Sequence, residues 1–108
     1  MRMKPLSTPA DIERHLADHR LALLYIKAPH CGVCHAVQPK VARLLQDWPQ
    51  VAAATADIAE MPEMAGRFHA LTVPLVMLFA DGKEVWRAAR FIRLQELQDA
   101  LAIWVRQI

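Results

Sequence analysis

A chain of 108 residues is long enough to bury a real core and short of a second one, and its 55% hydrophobic fraction leaves little room for disorder. Thirteen basic and 11 acidic side chains nearly cancel to a formal charge of +2, so nothing implies the clustered basic face that nucleic-acid binding needs. The longest apolar runs, 21–26 and 73–80, fall far short of the roughly 20 residues that span a bilayer. The N-terminus is basic but is followed by no apolar stretch suited to an export signal. The expectation is one domain over 1–108, cytoplasmic, with no membrane and no nucleic acid among its partners. In that compartment structural disulfides are rare, so a close cysteine pair points to redox chemistry or to metal.

Residues 2–6 carry a short strand signal that Pro5 confines to a sheet edge or end. Thr8, Pro9 and Asp11 provide an N-cap, a first-turn proline and an acidic cap partner for a helix to about residue 18, with Ile12 and Leu16 facing inward. Residues 21–27 are apolar without alternation, the pattern of a strand buried on both faces. Ala28-Pro29-His30-Cys31-Gly32-Val33-Cys34-His35 follows and holds the only two cysteines. From about 32 to 47, Val37, Val41, Leu44, Leu45 and Trp48 recur at helical spacing, and Pro39 predicts a kink because it lacks the N–H owed to the carbonyl of His35.

Residues 51–57 form a third, alanine-rich strand, and Pro62 opens a short helix that turns Met64 and Phe68 inward and is weakened by Gly66. Residues 75–79 and 84–90 flank Ala80-Asp81-Gly82-Lys83, the signal of an antiparallel hairpin. Leu94, Leu97, Leu101, Trp104, Val105 and Ile108 mark an amphipathic C-terminal helix. Parallel crossovers followed by a hairpin define an α/β protein with a mixed four- to five-stranded central sheet and helices on both faces.

A strand that delivers two cysteines to the first turn of a helix places one thiol against unpaired backbone N–H groups and the positive end of the helix dipole, which favours the reactive thiolate. Cys31-Gly32-Val33-Cys34 at such a junction, Pro39 five residues later, Val73-Pro74 heading the hairpin and Asp81-Gly82 at its turn together resemble the thioredoxin family over nearly the whole chain. The resemblance implies a thioredoxin fold, a cis Val73–Pro74 bond beside the cysteines, and disulfide exchange with Cys31 as the nucleophile and Cys34 as the resolving thiol. It implies that the backbone of Val73, with Pro74, binds the substrate in strand fashion. The partners it implies are disulfide-bearing proteins and an electron donor, either a reductase or a low-molecular-weight thiol; it calls for no cofactor and no metal.

The chain also departs from the family pattern. His30 stands where the family commonly has Trp, Gly-Val where it has Gly-Pro, and His35 where it has Lys or Arg. Tyr25 and Thr55 occupy the positions of a buried carboxylate and a lysine that help move the proton of the second thiol, and Arg90 replaces a glycine of the docking surface. These differences mark a divergent, thioredoxin-like protein.

Other readings of the same residues are ordinary. His15 and His19 share a helix face at a metal-binding spacing, yet read first as a solvated face, and Arg87, Arg90 and Arg93 read as surface charge. Met61 and Met64 read as gap fillers. Cys31 to His35 satisfies C-x-x-C-H, the attachment motif of c-type haem, but in strand-rich surroundings foreign to small c-type cytochromes. Zinc on the cysteines and flanking histidines lacks the second ligand pair that structural sites use. A non-catalytic interaction module that keeps the fold and docks partners at Val73-Pro74 is the alternative from another class.

Protonated imidazoles at His30 and His35 would favour the thiolate and with it the reduced protein. The reduction potential is therefore expected above the roughly −270 mV of thioredoxin itself. Equilibration against glutathione buffers measures it, and a clearly more negative value would remove the role given to the histidines.

Overall fold

The computed structural model describes residues 3–108, running β1 (Lys4–Leu6), α1 (Pro9–Asp18), β2 (Leu21–Lys27), α2 (Gly32–Leu45), β3 (Ala52–Asp57), α3 (Glu63–Phe68), β4 (Leu75–Ala80), β5 (Lys83–Ala89) and α4 (Leu94–Val105). The strands lie in the order β1-β3-β2-β4-β5. β3 runs parallel to both β1 and β2, while β4 is antiparallel to β2 and to β5. The sheet is mixed because the chain crosses over twice through helices and then returns by a tight hairpin.

β2 is central, and its lack of alternation has a direct cause. Leu21, Leu23 and Tyr25 point into one core layer with Val41, Leu45, Leu97 and Leu101 of α2 and α4; Ala22, Leu24 and Ile26 point into the other with Ile12, Leu16, Met64 and Phe68 of α1 and α3. These six of the seven β2 residues are at most 1% exposed, Lys27 at the strand end being half-buried. Burial of this kind contributes about 1.5–3 kcal/mol for each large aliphatic side chain, which pins β2 and so fixes where it ends.

Local chemistry agrees with the packing. Thr8 Oγ1 accepts the Asp11 N–H at 3.1 Å, capping α1 with Pro9 at its first turn. Asp81 (φ 50°) and Gly82 (φ 81°) both take the left-handed conformation that a two-residue hairpin loop needs. A register shift at Leu78/Phe79 places a bulge in the hairpin.

Some expectations need adjustment. α2 stops at Leu45 rather than 47, the next residues tightening into a turn in which Asp47 N–H donates to Leu44 O at 3.2 Å. Ile108 lies beyond α4 and is 36% exposed, so the apolar stripe ends at Val105. The strand signal at Arg2 lies outside the described residues.

The larger correction concerns His15, which is 7% exposed and not part of a solvated face. α1 lies against the sheet through Ile12, His15 and Leu16, and His15 Nε2 donates to the Ala52 carbonyl at 3.0 Å, so a polar ring is accepted at a core position by one hydrogen bond. His19 Nδ1 donates to the His15 carbonyl at 2.9 Å. The helical spacing of the pair reflects this packing.

Burial, followed by the nearby His19 charge, holds His15 below the ordinary imidazole range. The unfolded chain therefore takes up the proton first, and stability is complete above about pH 6.5 and declines as pH falls below it. Melting temperatures measured between about pH 8 and 5 should fall more for the native chain than for His15→Gln, which keeps a donor without the charge. Parallel curves would sink this assignment.

Candidate active site

The end of β2 and the start of α2 are separated by residues 28–31 alone. His30 makes the reversal with φ 60°, a left-handed conformation uncommon outside glycine, and Cys31 returns to extended backbone as the N-cap of α2. The cap is a sulfur: Cys31 Sγ accepts the Cys34 N–H at 3.1 Å, and the Cys31 carbonyl accepts the His35 N–H at 3.2 Å. Cys31 and Cys34 are joined as a disulfide with Cα atoms 5.2 Å apart, an ordinary separation for such a bond. Cys31 is half-buried, whereas Cys34, one helical turn in, is 2% exposed.

The Val73–Pro74 peptide bond is cis. Leu75, directly after it, pairs with Ile26, so the proline stands at the same end of the sheet as the cysteines. Pro74 is buried and Val73 half-buried; the Pro74 carbonyl accepts the Arg90 N–H at 2.8 Å. Arg90 has φ 68° and reaches back to donate to the Val73 carbonyl at 3.5 Å. His30 and His35 are exposed and line one cleft with both cysteines. Leu71 and Phe91, at 92% and 80% exposure, flank the Val73-Pro74 step and Arg90 in sequence.

Beneath the cysteines the two noted replacements face each other. Tyr25 and Thr55 are register partners across β2 and β3, and both are buried. The Tyr25 hydroxyl donates to the Cys34 carbonyl at 2.8 Å, tying the first turn of α2 to the strand below it. Desolvation pushes the Tyr25 phenol up to about 12, so it stays neutral and keeps donating through the physiological range.

Sequence reasoning missed Lys27, Gln38 and Asp57, which line the cysteine cleft. The period-two rule held the clue, because Lys27 and Asp57 are register partners one same-face step beyond Tyr25 and Thr55. Among the described residues no three His, Cys, Asp or Glu side chains converge as a metal site, and no helix is long and apolar enough to cross a membrane.

These features define a mixed α/β protein with a C-x-x-C disulfide at the start of a helix and a cis-proline at the same end of the sheet. The thioredoxin family model matches residues 5–103, and the chain belongs to that family. It is 36% identical over 99 residues to thioredoxin-like protein YdfQ of Bacillus subtilis, covering 92% of this chain and 88% of that one. Thioredoxin-1 of Saccharomyces cerevisiae is 26% identical over 78 residues, covering 72% and 76%. Among solved structures, Fasciola hepatica thioredoxin superposes with a TM-score of 0.85 at 29% identity over 94% of this chain and 99% of that one.

Tyr25 is the only tyrosine, so its ionisation can be read directly. Phenolate absorbance should rise with a midpoint near 12 in the folded protein and near 10 in denaturant. Because the folded-state value is the higher one, stability is complete below about pH 10 and is lost as pH rises above it. Tyr25→Phe should cost about 1 kcal/mol in denaturant unfolding through loss of the hydrogen bond to Cys34. A native midpoint near 10 would mean that the hydroxyl is not held as described.

Proposed function

We propose that this chain is a protein-disulfide oxidoreductase, favouring the reductase direction and contributing to cytoplasmic redox homeostasis. The observation that carries the reading is the half-exposed Cys31 sulfur at the N-cap of α2, with the Cys34 sulfur buried one turn behind it. In the reduced protein the Cys34 N–H and the helix dipole favour a Cys31 thiolate. That thiolate attacks one sulfur of a target disulfide, and the other target sulfur leaves as a thiolate. Cys34 then attacks Cys31 Sγ, the bond to the target breaks, and the Cys31–Cys34 disulfide closes. Two electrons pass from the dithiol to the target, and a reductase or a low-molecular-weight thiol restores them.

Val73 and Pro74 form the docking step for the target backbone, on the shelf beside the cysteines. His30 and His35 modulate the thiolate from the mouth of the cleft, where both are exposed. The domain acts as one unit over 1–108, its substrates being disulfide-bearing proteins.

A Cys34→Ser variant leaves the first attack intact and blocks the second, so it should accumulate mixed disulfides with targets. Cys31→Ser should capture none. Non-reducing gels followed by mass spectrometry read the outcome, and equal trapping by both variants would overturn the role assignment.

A further inference from the structure

If the chain exchanges disulfides as proposed, Cys34 must lose its proton at a position that is 2% exposed, so a base has to reach it from within the protein. The phenol below it cannot serve, because Tyr25 is neutral and its hydroxyl is committed as a donor to the Cys34 carbonyl. Both cysteines open onto a cleft of about 100 Å³ whose lining includes Lys27, His35, Gln38 and Asp57, and Asp57 is the one carboxylate in that lining. A cleft of that volume is large enough to hold ordered water.

Asp57 is built into this place. It is the last residue of β3, in register with Lys27 at the end of β2, and Oδ1 accepts the Ala59 N–H at 2.9 Å, which holds the carboxylate at the cleft through one oxygen. Asp57 and Lys27 also line a second cleft of about 150 Å³ with Ser7, Thr55 and Glu60 toward the β1 edge. A proton received from the cysteine side therefore has a way out to solvent on the other. The charged or titratable groups facing Asp57 across the two clefts are Lys27 of β2, His30 of the turn, His35 of α2 and Glu60 after β3.

We propose that Asp57 is the proton acceptor for Cys34, acting through water in the cleft that the two cysteines share with it. In the mixed disulfide the Cys34 thiol gives its proton through water to the Asp57 carboxylate. The Cys34 thiolate bonds to Cys31 Sγ as the Cys31–target bond breaks, and the departing target thiolate is protonated by the Asp57 acid or by solvent. Both electrons stay with the leaving sulfur, so no further oxidant or reductant enters the step.

The test is a single-turnover experiment on the reduced full chain with a disulfide peptide, quenched by alkylation, following formation and decay of the mixed disulfide from about pH 6 to 9.5. Native protein, Asp57→Asn and His35→Gln are compared. Asp57→Asn should slow decay about 10²-fold near pH 6.5, the low end of what a positioned base supplies, and the deficit should close toward pH 9.5 as the thiol ionises unaided. His35→Gln, at the residue assigned to modulate the Cys31 thiolate, should change the rate at which the mixed disulfide forms and should not produce the low-pH deficit in its decay. The proposal fails if Asp57→Asn decays within twofold of native at every pH, if its deficit is the same at every pH, or if only His35→Gln reproduces the low-pH slowing. Native protein that forms no mixed disulfide at all would instead overturn the exchange reading and this inference together.

Discussion

The arrangement depends on one constraint: a strand packed on both faces has to become a helix within residues 28–31. The two core layers leave β2 no freedom to slide, since a one-residue slip would exchange the residues of each layer for those of the other. The start of α2 is thereby fixed, and with it the Cys31 sulfur at the helix N-cap. His30 meets the constraint by adopting positive φ, and the Tyr25 hydroxyl braces the first turn of α2 from below. The place of the Cys31 sulfur at the helix N-cap is thus a consequence of core packing several residues away.

Polar groups under the site are sorted by depth. At the Tyr25–Thr55 level the groups are uncharged and buried, and the Tyr25 hydroxyl is hydrogen-bonded; at the Lys27–Asp57 level, one same-face step nearer the strand ends, the side chains are of the ionisable type and half-buried. A buried unpaired charge beneath the sulfurs would carry a desolvation cost that a phenol avoids, while a carboxylate at the strand end keeps access to water. The loss of a carboxylate and a lysine at the deeper level therefore changes where charge sits relative to the cysteines without removing it from their neighbourhood.

Three of the four arginines after the hairpin turn illustrate how similar letters acquire separate tasks. Arg87 donates to the Phe68 carbonyl at 2.7 Å and to Glu84 at 2.8 Å, which fastens the end of α3 to β5. Arg90 leans toward the Val73 carbonyl, and Arg93 lies 3.8 Å from Glu96 at the head of α4. Arg90 brings a cation to the shelf beside Pro74, between the exposed Leu71 and Phe91 side chains in chain order, so the rim of the site differs in charge and bulk from one built on glycine.

Much of this was readable in the residues themselves because it rests on periodicity and turn chemistry. Unbroken apolar runs located β2 and β4, Asp81-Gly82 located the hairpin, Thr8-Pro9 located the start of α1, and the cysteine spacing placed both sulfurs within one turn of a helix. What local pattern does not carry is which distant residues share a space. The polar letter of His15 suits a surface position, and only the seating of α1 on the sheet gives its ring the Ala52 carbonyl. Asp57 and the cysteines are far apart in sequence and meet only because β3 pairs beside β2 and α2 folds back over their ends. Sequence sets conformational preference residue by residue, whereas proximity, burial and the partners of a polar group are decided by long-range packing that no single stretch of chain contains.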